Sequence, residues 1–243
     1  MYRIMNRNWW RSFRLKLYVA EFEINPGSEK LIIKIKDLNK IVTDKVDISI
    51  VEKAIYYAKK YHGNQKRDSG DPYYTHPIAV AFMVSDYIFR TDILVTSLLH
   101  DCIEDTELTK QMISDIFGKV IANQVDDLTR IKLDKKISAA ETLDLLYSQN
   151  KKDILLVKLF DRLHNMLTLG AKSPDKIKKI VEETTSTFIT LAAYLGIREV
   201  EEKLLQLCIQ YIKQGLIYKN SELPFGSDQD LISLVFQNDE FHI

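Results

Sequence analysis

The sequence predicts an all-α protein, because its features are typical of helices joined by short connections. Only eight glycines and five prolines occur in 243 residues. The long segments between them are rich in Leu, Ile, Lys and Glu, with apolar residues every three or four positions. A hydrophobic content of 46% is enough for a sizeable core. We expect one helical domain at 47–218, between an N-terminal extension, 1–46, and a C-terminal tail, 219–243.

Composition narrows the class of protein and its surroundings. Lys and Arg together number 34, as do Asp and Glu, so no net charge favours nucleic acid or an anionic membrane as a partner. No apolar run is long enough to predict a membrane span, and the N-terminus lacks the apolar stretch of a signal peptide. Cys102 and Cys208 lie far apart within apolar helical patterns, which is typical of reduced core residues. We therefore expect a cytoplasmic protein, and a homo-oligomer stays possible.

The N-terminal extension allows two interpretations. Its first residues are rich in arginine, and Trp9, Trp10 and Phe13 lie at helix-like spacing. This pattern fits either an amphipathic helix that binds a membrane surface or an extension that packs its aromatic residues on the domain or a partner subunit. The second interpretation is favoured by the neutral overall charge. Further along, residues 30–36 alternate partly and predict a short strand.

Within the domain, helical periodicity begins after Asp47 and stops at Gly63. A polar, cationic loop rich in turn formers follows, 62–73, and Pro77 is suited to the first position of the next helix. Thr91 or Asp92 can cap the helix after that one. The remaining helices are predicted at Thr109–Phe117, 120–128, 139–147, 153–169, 176–195 and 198–218, with a basic connection at 129–136.

The helix that begins near Thr91 ends in an unusual cluster of ionisable side chains: His100, Asp101, Glu104 and Asp105. At helical spacing these side chains, one imidazole and three carboxylates, converge on a small volume. The carboxylates repel one another at such short distances unless a cation lies between them. Neutral imidazole and carboxylate are natural ligands for a divalent metal. Adjacent His100 and Asp101 therefore predict a metal site between helices, completed by residues from elsewhere.

Candidates for the missing ligands are His76 and Asp161, although each has a simpler interpretation. His76 alone would more often be a histidine at a helix start, and Asp161 with Arg162 would more often form an ion pair. We expect His62 and His164 to be structural, since His62 precedes a turn and His164 lies off the stripe that contains Asp161.

Two groups of polar residues flank the candidate ligands. On the later helix Asp161, Asn165 and Thr168 form one polar stripe, with Lys158 a turn earlier, as expected for a face that lines a pocket. In the loop, Lys66 and Arg67 are either solvated or in contact with a phosphate or base.

The motifs of several other site types are missing from the sequence. It contains no glycine-rich phosphate loop, no His-Glu-x-x-His, no clustered cysteines and no Gly-x-Ser-x-Gly elbow. Metal-assisted hydrolysis is the chemistry that remains.

Three long motifs, at 67–77, 98–106 and 157–166, resemble the hydrolase domain of the RelA/SpoT alarmone enzymes among the HD-domain phosphohydrolases. A weaker match is found at 191–197, and the resemblance covers about 47–200. It implies an HD-domain helical bundle that binds one Mn²⁺ and removes pyrophosphate from the 3′ position of the guanine nucleotide alarmone (p)ppGpp, giving GDP or GTP.

The resemblance also assigns roles to residues. It implies His76, His100, Asp101 and Asp161 as metal ligands, and Glu104 and Asp105 as the groups that position or deprotonate water or relay a proton. The implied substrate contacts are Arg67 at the guanine or a phosphate, Tyr73 near the nucleoside, Asn165 and Thr168 at the base or ribose edge, and Lys66 and Lys158 at phosphates.

The chain departs from the RelA/SpoT pattern in places. Asp71 stands where Glu is usual, and Ala193-Tyr194 replaces a usual His-Arg pair. We also expect no synthetase domain of the kind that bifunctional RelA/SpoT enzymes carry. The residues leave two other functions open. One is an HD hydrolase of another nucleotide, such as an adenosine alarmone, NADPH or a deoxynucleotide, and the other is a nucleotide-sensing module without catalysis.

Overall fold

The computed structural model of the chain describes residues 26–129, 131–132 and 135–214. The tryptophan-containing segment, the predicted end of the last helix and the C-terminal tail lie outside these residues. The described part is helical, which confirms the predicted fold class. Its α-helices are α1 Ser28–Asn39, α2 Ile48–His62, α3 Thr75–Val84, α4 Thr91–Leu99, α5 Cys102–Asp105, α6 Lys110–Phe117, α7 Lys119–Leu128, α8 Ala139–Ser148, α9 Lys152–Leu167, α10 Pro174–Glu183, α11 Ile189–Leu195 and α12 Arg198–Lys213.

Local signals in the sequence set several helix ends. The carboxylate of Asp47 accepts hydrogen bonds from the backbone N–H groups of Ser49 and Ile50, so it caps α2. Gly63 ends the same helix with φ +47°, a conformation that favours glycine. Between α6 and α7, Gly118 has φ +91° and separates the two helices as predicted.

Three helices form the centre of the bundle. α4 packs against α2, α3 and α7, and α9 packs against α3. About three quarters of the residues of α3, α4 and α9 are buried, including polar ones. A helix that is buried on all sides can keep polar side chains only where they are paired or bind a ligand.

The structure corrects three local predictions. Residues 30–36 are part of helix α1, not a strand, and Leu31 and Ile35 pack fully buried in the common core. Their i, i+4 spacing explains the helix, because it aligns both on one face. Helix α3 begins at Thr75, two residues before Pro77. The residue before α4 is Arg90, without a side-chain cap, so neither Thr91 nor Asp92 has that role.

Two further stretches differ from the predicted helices. The basic connection contains a short antiparallel pair, β1 Ile131–Lys132 and β2 Lys135–Lys136. The predicted helix at 176–195 is divided into α10, a π-helical turn Thr184–Phe188, and α11. A 3₁₀ turn, Leu169–Ala171, follows α9. Among the described residues no helix has both the length and the apolar character needed to span a membrane.

Candidate metal centre

Four side chains from three different parts of the chain meet beside the central helices. His76 lies in the first turn of α3, and His100 and Asp101 occupy the short break between α4 and α5. Asp161 projects from the middle of α9. We call these four residues the metal centre. The packing of α3 against both α4 and α9 is what brings them together.

The ligand atoms of the metal centre are close enough to share one ion. Those of His76, His100 and Asp101 lie within 4.8 Å of one another. Nε2 of His76 is 3.2 Å from Oδ1 of Asp161, and Nε2 of His100 is 3.2 Å from Oδ1 of Asp101. Ligands about 2.1 Å from a metal and at right angles to each other are separated by about 3.0 Å.

The chemistry of His100 is the strongest sign of a bound cation. Its Nδ1 is 2.8 Å from the carbonyl of Ser97, which can only accept, so Nδ1 carries a hydrogen and Nε2 is the nitrogen left to bind a proton or a metal. Nε2 is buried, and in the described part of the chain it forms no hydrogen bond. It faces Asp101 and, at 3.7 Å, Oδ1 of Asp161. A lone pair held against two carboxylates requires a positive species among them.

Electrostatics support the same conclusion. Although burial opposes a charge on His100, the carboxylates of Asp101 and Asp161 raise its pKa to about 10. Despite burial, Lys158 and the two histidines hold the pKa of Asp161 well below its usual range. His100 and His76 likewise hold the pKa of Asp101 below its usual range. Both carboxylates are therefore ionised, and the field that attracts a proton to His100 also attracts a metal cation, which competes with that proton.

The donor set fits a divalent metal. Two imidazole nitrogens and two carboxylate oxygens suit several first-row metals, so the residues fit the group without selecting one. Burial lowers the pKa of His76 and favours the neutral imidazole that a ligand must have.

We expected His62 and His164 to be only structural. Both, however, lie in contact with the metal centre or with residues around it. Nδ1 of His164 lies 2.9 Å from Nδ1 of His76. The ring of His62 stacks on Tyr73 with 4.6 Å between the centroids, and its Nδ1 is 2.8 Å from Oε1 of Gln65. The i, i+3 spacing of Asp161 and His164 is the sequence signal for the first of these contacts, because residues so spaced are neighbours on a helix.

Tyr73 joins a metal ligand to a candidate catalytic residue. Its hydroxyl is 3.0 Å from Oδ2 of Asp101 and 2.9 Å from Oδ2 of Asp105. Burial, followed by these two carboxylates, raises the pKa of Tyr73, so the phenol stays neutral and has one hydrogen for two acceptors. The structure thus places its hydroxyl against carboxylates, and the contact of Tyr73 with the nucleoside stays a prediction.

Glu104 and Asp105 lie at the edge of a cavity of about 560 Å³. Partial desolvation raises the pKa of Asp105, and the charge of Asp101 adds to the effect. The one-turn helix α5 carries both residues, and Gln65 fixes its end by donating to the carbonyl of Asp105 over 2.7 Å. The cavity is lined by Lys60, Tyr61, Gln65, Glu104, Asp105, Thr106 and Glu107.

A second polar cluster adjoins Asp161. Arg67 donates from one terminal nitrogen to Oδ1 of Asn165 and to Oγ1 of Thr168, each over 3.0 Å. Asn165 in turn donates to Oδ1 of Asp161 over 2.7 Å, and Nζ of Lys158 is 3.1 Å from Oδ2 of the same aspartate. The predicted stripe on α9 is therefore a continuous polar surface that reaches from the metal centre to the loop.

Lys66 has no side-chain contact with this surface among the described residues, so its role at a phosphate stays a prediction. Its side chain is exposed, its backbone pairs with Pro72, and the contacts found among the described residues include none from its ammonium group. The loop is held instead by Asp68, which pairs with Lys172 at 2.7 Å. Asp71 accepts a hydrogen bond from Ser69 inside the loop.

The region of the unusual Ala193-Tyr194 pair lies at the surface. Tyr194 is 42% exposed, and its ring lies edge-on to that of Tyr147 at 5.1 Å. Nζ of Lys152 lies 5.2 Å from the same ring.

Comparison with known proteins places the chain in a family. The family model described as the HD domain matches residues 54–198, which is more than half of the chain. The protein therefore belongs to the HD-domain family of metal-dependent hydrolases. Its match includes every residue of the metal centre.

Several individual proteins are similar to this chain. The "GTP pyrophosphokinase rsh" of Brucella ovis is 42% identical over 173 residues, 69% of this chain and 23% of the relative. The "Bifunctional (p)ppGpp synthase/hydrolase SpoT" of Escherichia coli K12 is 39% identical over 166 residues, 66% of this chain and 24% of the relative. The chain thus spans about a quarter of the length of these curated relatives.

One solved structure extends the comparison to the fold. It belongs to a protein described as a metazoan ortholog of SpoT that hydrolyzes ppGpp. The TM-score is 0.55 at 22% identity, and the similar region covers 69% of this chain and 97% of the metazoan chain. The two proteins therefore share the helical fold over nearly the whole of the metazoan one.

Proposed function

We propose that this protein is a metal-dependent hydrolase that removes the 3′ pyrophosphate of (p)ppGpp. The observation that carries the proposal is the position of Asn165, which joins Arg67 to the metal ligand Asp161 through two hydrogen bonds. A guanidinium group and an amide therefore lie directly beside the metal centre. Such groups are needed to recognise a phosphorylated nucleotide whose reacting phosphate lies at the metal.

The relatives support this substrate. SpoT of E. coli is named for both synthesis and hydrolysis of (p)ppGpp, and this chain is similar to only a quarter of it. The metazoan protein is described as hydrolyzing ppGpp, and almost all of it corresponds to the region shared with this chain. A domain of this size and fold is thus sufficient for hydrolysis in that protein.

Hydrolysis would break the bond between O3′ of the ribose and the adjacent phosphorus, giving GDP or GTP and pyrophosphate. A divalent ion held by His76, His100, Asp101 and Asp161 would supply Lewis-acid chemistry, which polarises a phosphoryl oxygen and makes water easier to deprotonate. We infer that this ion is Mn²⁺, since the donor set is compatible with it and the RelA/SpoT resemblance favours it.

The remaining side chains have roles that follow from their positions. Asp105, whose pKa is raised, is suited to take the proton of the attacking water, and Glu104 beside it is suited to orient that water or pass a proton to O3′. Arg67, Asn165 and Thr168 would hold the base or ribose, and Lys158, already near Asp161, would face a phosphate. A cytoplasmic location belongs to the same proposal, and the free thiols of Cys102 and Cys208 support it.

The test is to strip the purified protein of metal, reload it with Mn²⁺, and follow ppGpp, GDP and pyrophosphate by chromatography. We expect GDP and pyrophosphate in equal amounts, and only with metal present. Asp101→Asn is the matched control, because it keeps the shape of the side chain and removes one anionic ligand. Intact ppGpp after incubation with a protein that binds Mn²⁺ would reject the substrate, and a panel of other nucleotides in the same assay would then identify the correct one.

A further inference from the structure

His76 and His100 present equivalent nitrogens to the metal centre, but different partners hold their rings. In both, Nε2 faces the carboxylates of the metal centre. The other nitrogen of His100 is bound by a backbone carbonyl, that of Ser97. The other nitrogen of His76 is bound by a side chain, Nδ1 of His164, at 2.9 Å.

The contact between His76 and His164 lies inside the core. The side chains of His76 and His164 are 1% and 0% exposed, and their ring centroids are 4.8 Å apart. Two nitrogens at this distance form a hydrogen bond only if one carries the hydrogen and the other a lone pair. Two arrangements of the pair satisfy this condition: either His76 donates from Nδ1 to His164, or His164 donates from Nδ1 to His76.

Metal binding determines which of the two tautomers is productive. If Nδ1 of His76 accepted the hydrogen bond, its own hydrogen would lie on Nε2, where it would occupy the lone pair that a metal needs. If Nδ1 of His76 donates, Nε2 is free to bind, and Nδ1 of His164 must be the acceptor with its hydrogen on Nε2. A partner on the outer nitrogen that fixes the tautomer is a common requirement of histidine ligands.

We propose that His164 is a positioning residue for the metal centre: it accepts the Nδ1 hydrogen of His76 and thereby keeps Nε2 of His76 open for the metal. This role rests on the metal-binding property of the family and not on (p)ppGpp as the substrate. Position also favours it, because His164 lies one turn beyond Asp161 on α9, so one helix supplies a ligand and the support of another ligand.

A matched pair of variants tests the proposal. His164→Asn places an amide oxygen on Cγ, where Nδ1 was attached, and can still accept from His76. His164→Leu introduces a side chain of nearly the same shape as asparagine, but this side chain cannot accept a hydrogen bond. We expect the dissociation constant for Mn²⁺, measured by calorimetry without substrate, to rise about 10- to 100-fold in His164→Leu and about 3-fold or less in His164→Asn.

Leu163→Ala is the control for a general loss of packing, since Leu163 is a fully buried neighbour on the same helix. It should lower the melting temperature while leaving the dissociation constant for Mn²⁺ as in the wild type. Equal metal affinity in His164→Leu and His164→Asn, or a loss no greater than in Leu163→Ala, would overturn the proposal. These results do not depend on whether ppGpp is cleaved.

A second measurement uses the wild-type protein and so avoids variants that fail to fold. With ¹⁵N-labelled histidine and Zn²⁺, which is diamagnetic, NMR correlations between ring nitrogens and carbon-bound hydrogens distinguish the tautomers. We expect His164 with its hydrogen on Nε2 and an unprotonated Nδ1. A hydrogen on Nδ1 of His164 in the loaded protein would contradict the proposed role.

Discussion

Oδ1 of Asn165 accepts a hydrogen bond from Arg67, while the amide nitrogen of Asn165 donates to Asp161 in the metal centre. The loop that carries Arg67 and the helix that carries Asp161 are therefore linked through one side chain. Substrate recognition and metal binding are expected to be coupled through it, and this link is the basis of the first prediction.

Arg67→Lys should weaken substrate binding more than it slows the reaction. Lysine keeps the positive charge but cannot donate in the fixed geometry with which the guanidinium contacts both Asn165 and Thr168. We expect KM for ppGpp to rise about 10-fold, equivalent to about 1.4 kcal/mol, with kcat nearly unchanged. Arg198→Lys, at an exposed ion pair with Glu202, is the control and should behave as the wild type. An unchanged KM in Arg67→Lys would remove Arg67 from the substrate site.

Tyr73→Phe should lower kcat and leave KM almost unchanged. The variant keeps the ring that stacks on His62 but loses the hydroxyl between Asp101 and Asp105. Since a hydrogen bond to a charged group contributes about 1.5–3 kcal/mol, we expect kcat to fall about 10- to 100-fold. Steady-state kinetics also test the alternative that Tyr73 packs on the nucleoside. In that case Tyr73→Phe would be mild and Tyr73→Leu would raise KM.

Glu104→Gln should separate catalysis from metal binding. Glu104 lies outside the metal centre, at the cavity that also contains Asp105. We expect an unchanged dissociation constant for Mn²⁺ and a kcat about 10²- to 10⁴-fold lower, as for loss of a general acid or base. Glu107→Gln changes a neighbouring carboxylate of the same cavity and should keep wild-type turnover. Loss of metal in Glu104→Gln would instead make Glu104 a ligand.

Metal should stabilise the folded protein through Asp101. An ion that binds only the folded state adds about 2.7 kcal/mol when present at 100 times its dissociation constant. For a chain of this length that corresponds to an increase of about 5–10 °C in Tm. Differential scanning fluorimetry with and without Mn²⁺ should show this increase in the wild type but not in Asp101→Asn. Asp127→Asn, which breaks an ion pair with Lys151 elsewhere, should retain it.

Acid should weaken a contact that holds the start of α4. Partial burial by itself would raise the pKa of Asp92. Hydrogen bonds from Arg90 and Gln124 outweigh this effect and hold that pKa below its ordinary value of 3.8. A depressed pKa in the folded state means that Asp92 stabilises the protein above its unfolded pKa. That stabilisation is lost as pH falls through the lower, folded value.

Urea unfolding of the wild type and Asp92→Asn checks this sign. At pH 7 we expect Asp92→Asn to be less stable by about 1 kcal/mol, a value reduced for partial exposure. The difference should shrink as pH falls below the ordinary pKa of an aspartate. A constant difference between pH 7 and pH 3 would mean that the charge of Asp92 does not contribute.

Much of the site was predictable because its residues are adjacent in the chain or at helical spacing. His100 and Asp101 follow an apolar helix directly, and Asp161, Asn165 and Thr168 share one stripe. Contacts between distant segments were not predictable in this way. No spacing in the sequence indicated that the hydroxyl of Tyr73 lies between Asp101 and Asp105.

The same distinction applies to the fold. Periodicity and caps such as Asp47 predicted most helices, since both are local properties of the chain. They failed at residues 30–36, where partial alternation hid the i, i+4 spacing of Leu31 and Ile35, and at the π-helical turn Thr184–Phe188, which interrupts one predicted helix.

By itself, the sequence determined the all-α class, the order of the helices and the residues able to bind a metal, because these depend on local spacing and on side-chain chemistry. Only the tertiary structure decided that His164 lies against His76 across 88 positions of the chain, and that the hydroxyl of Tyr73 lies between Asp101 and Asp105. The physical reason is that the partner of a buried polar atom is set by the packing of distant segments, such as α3 against α9, and not by any pattern within one segment.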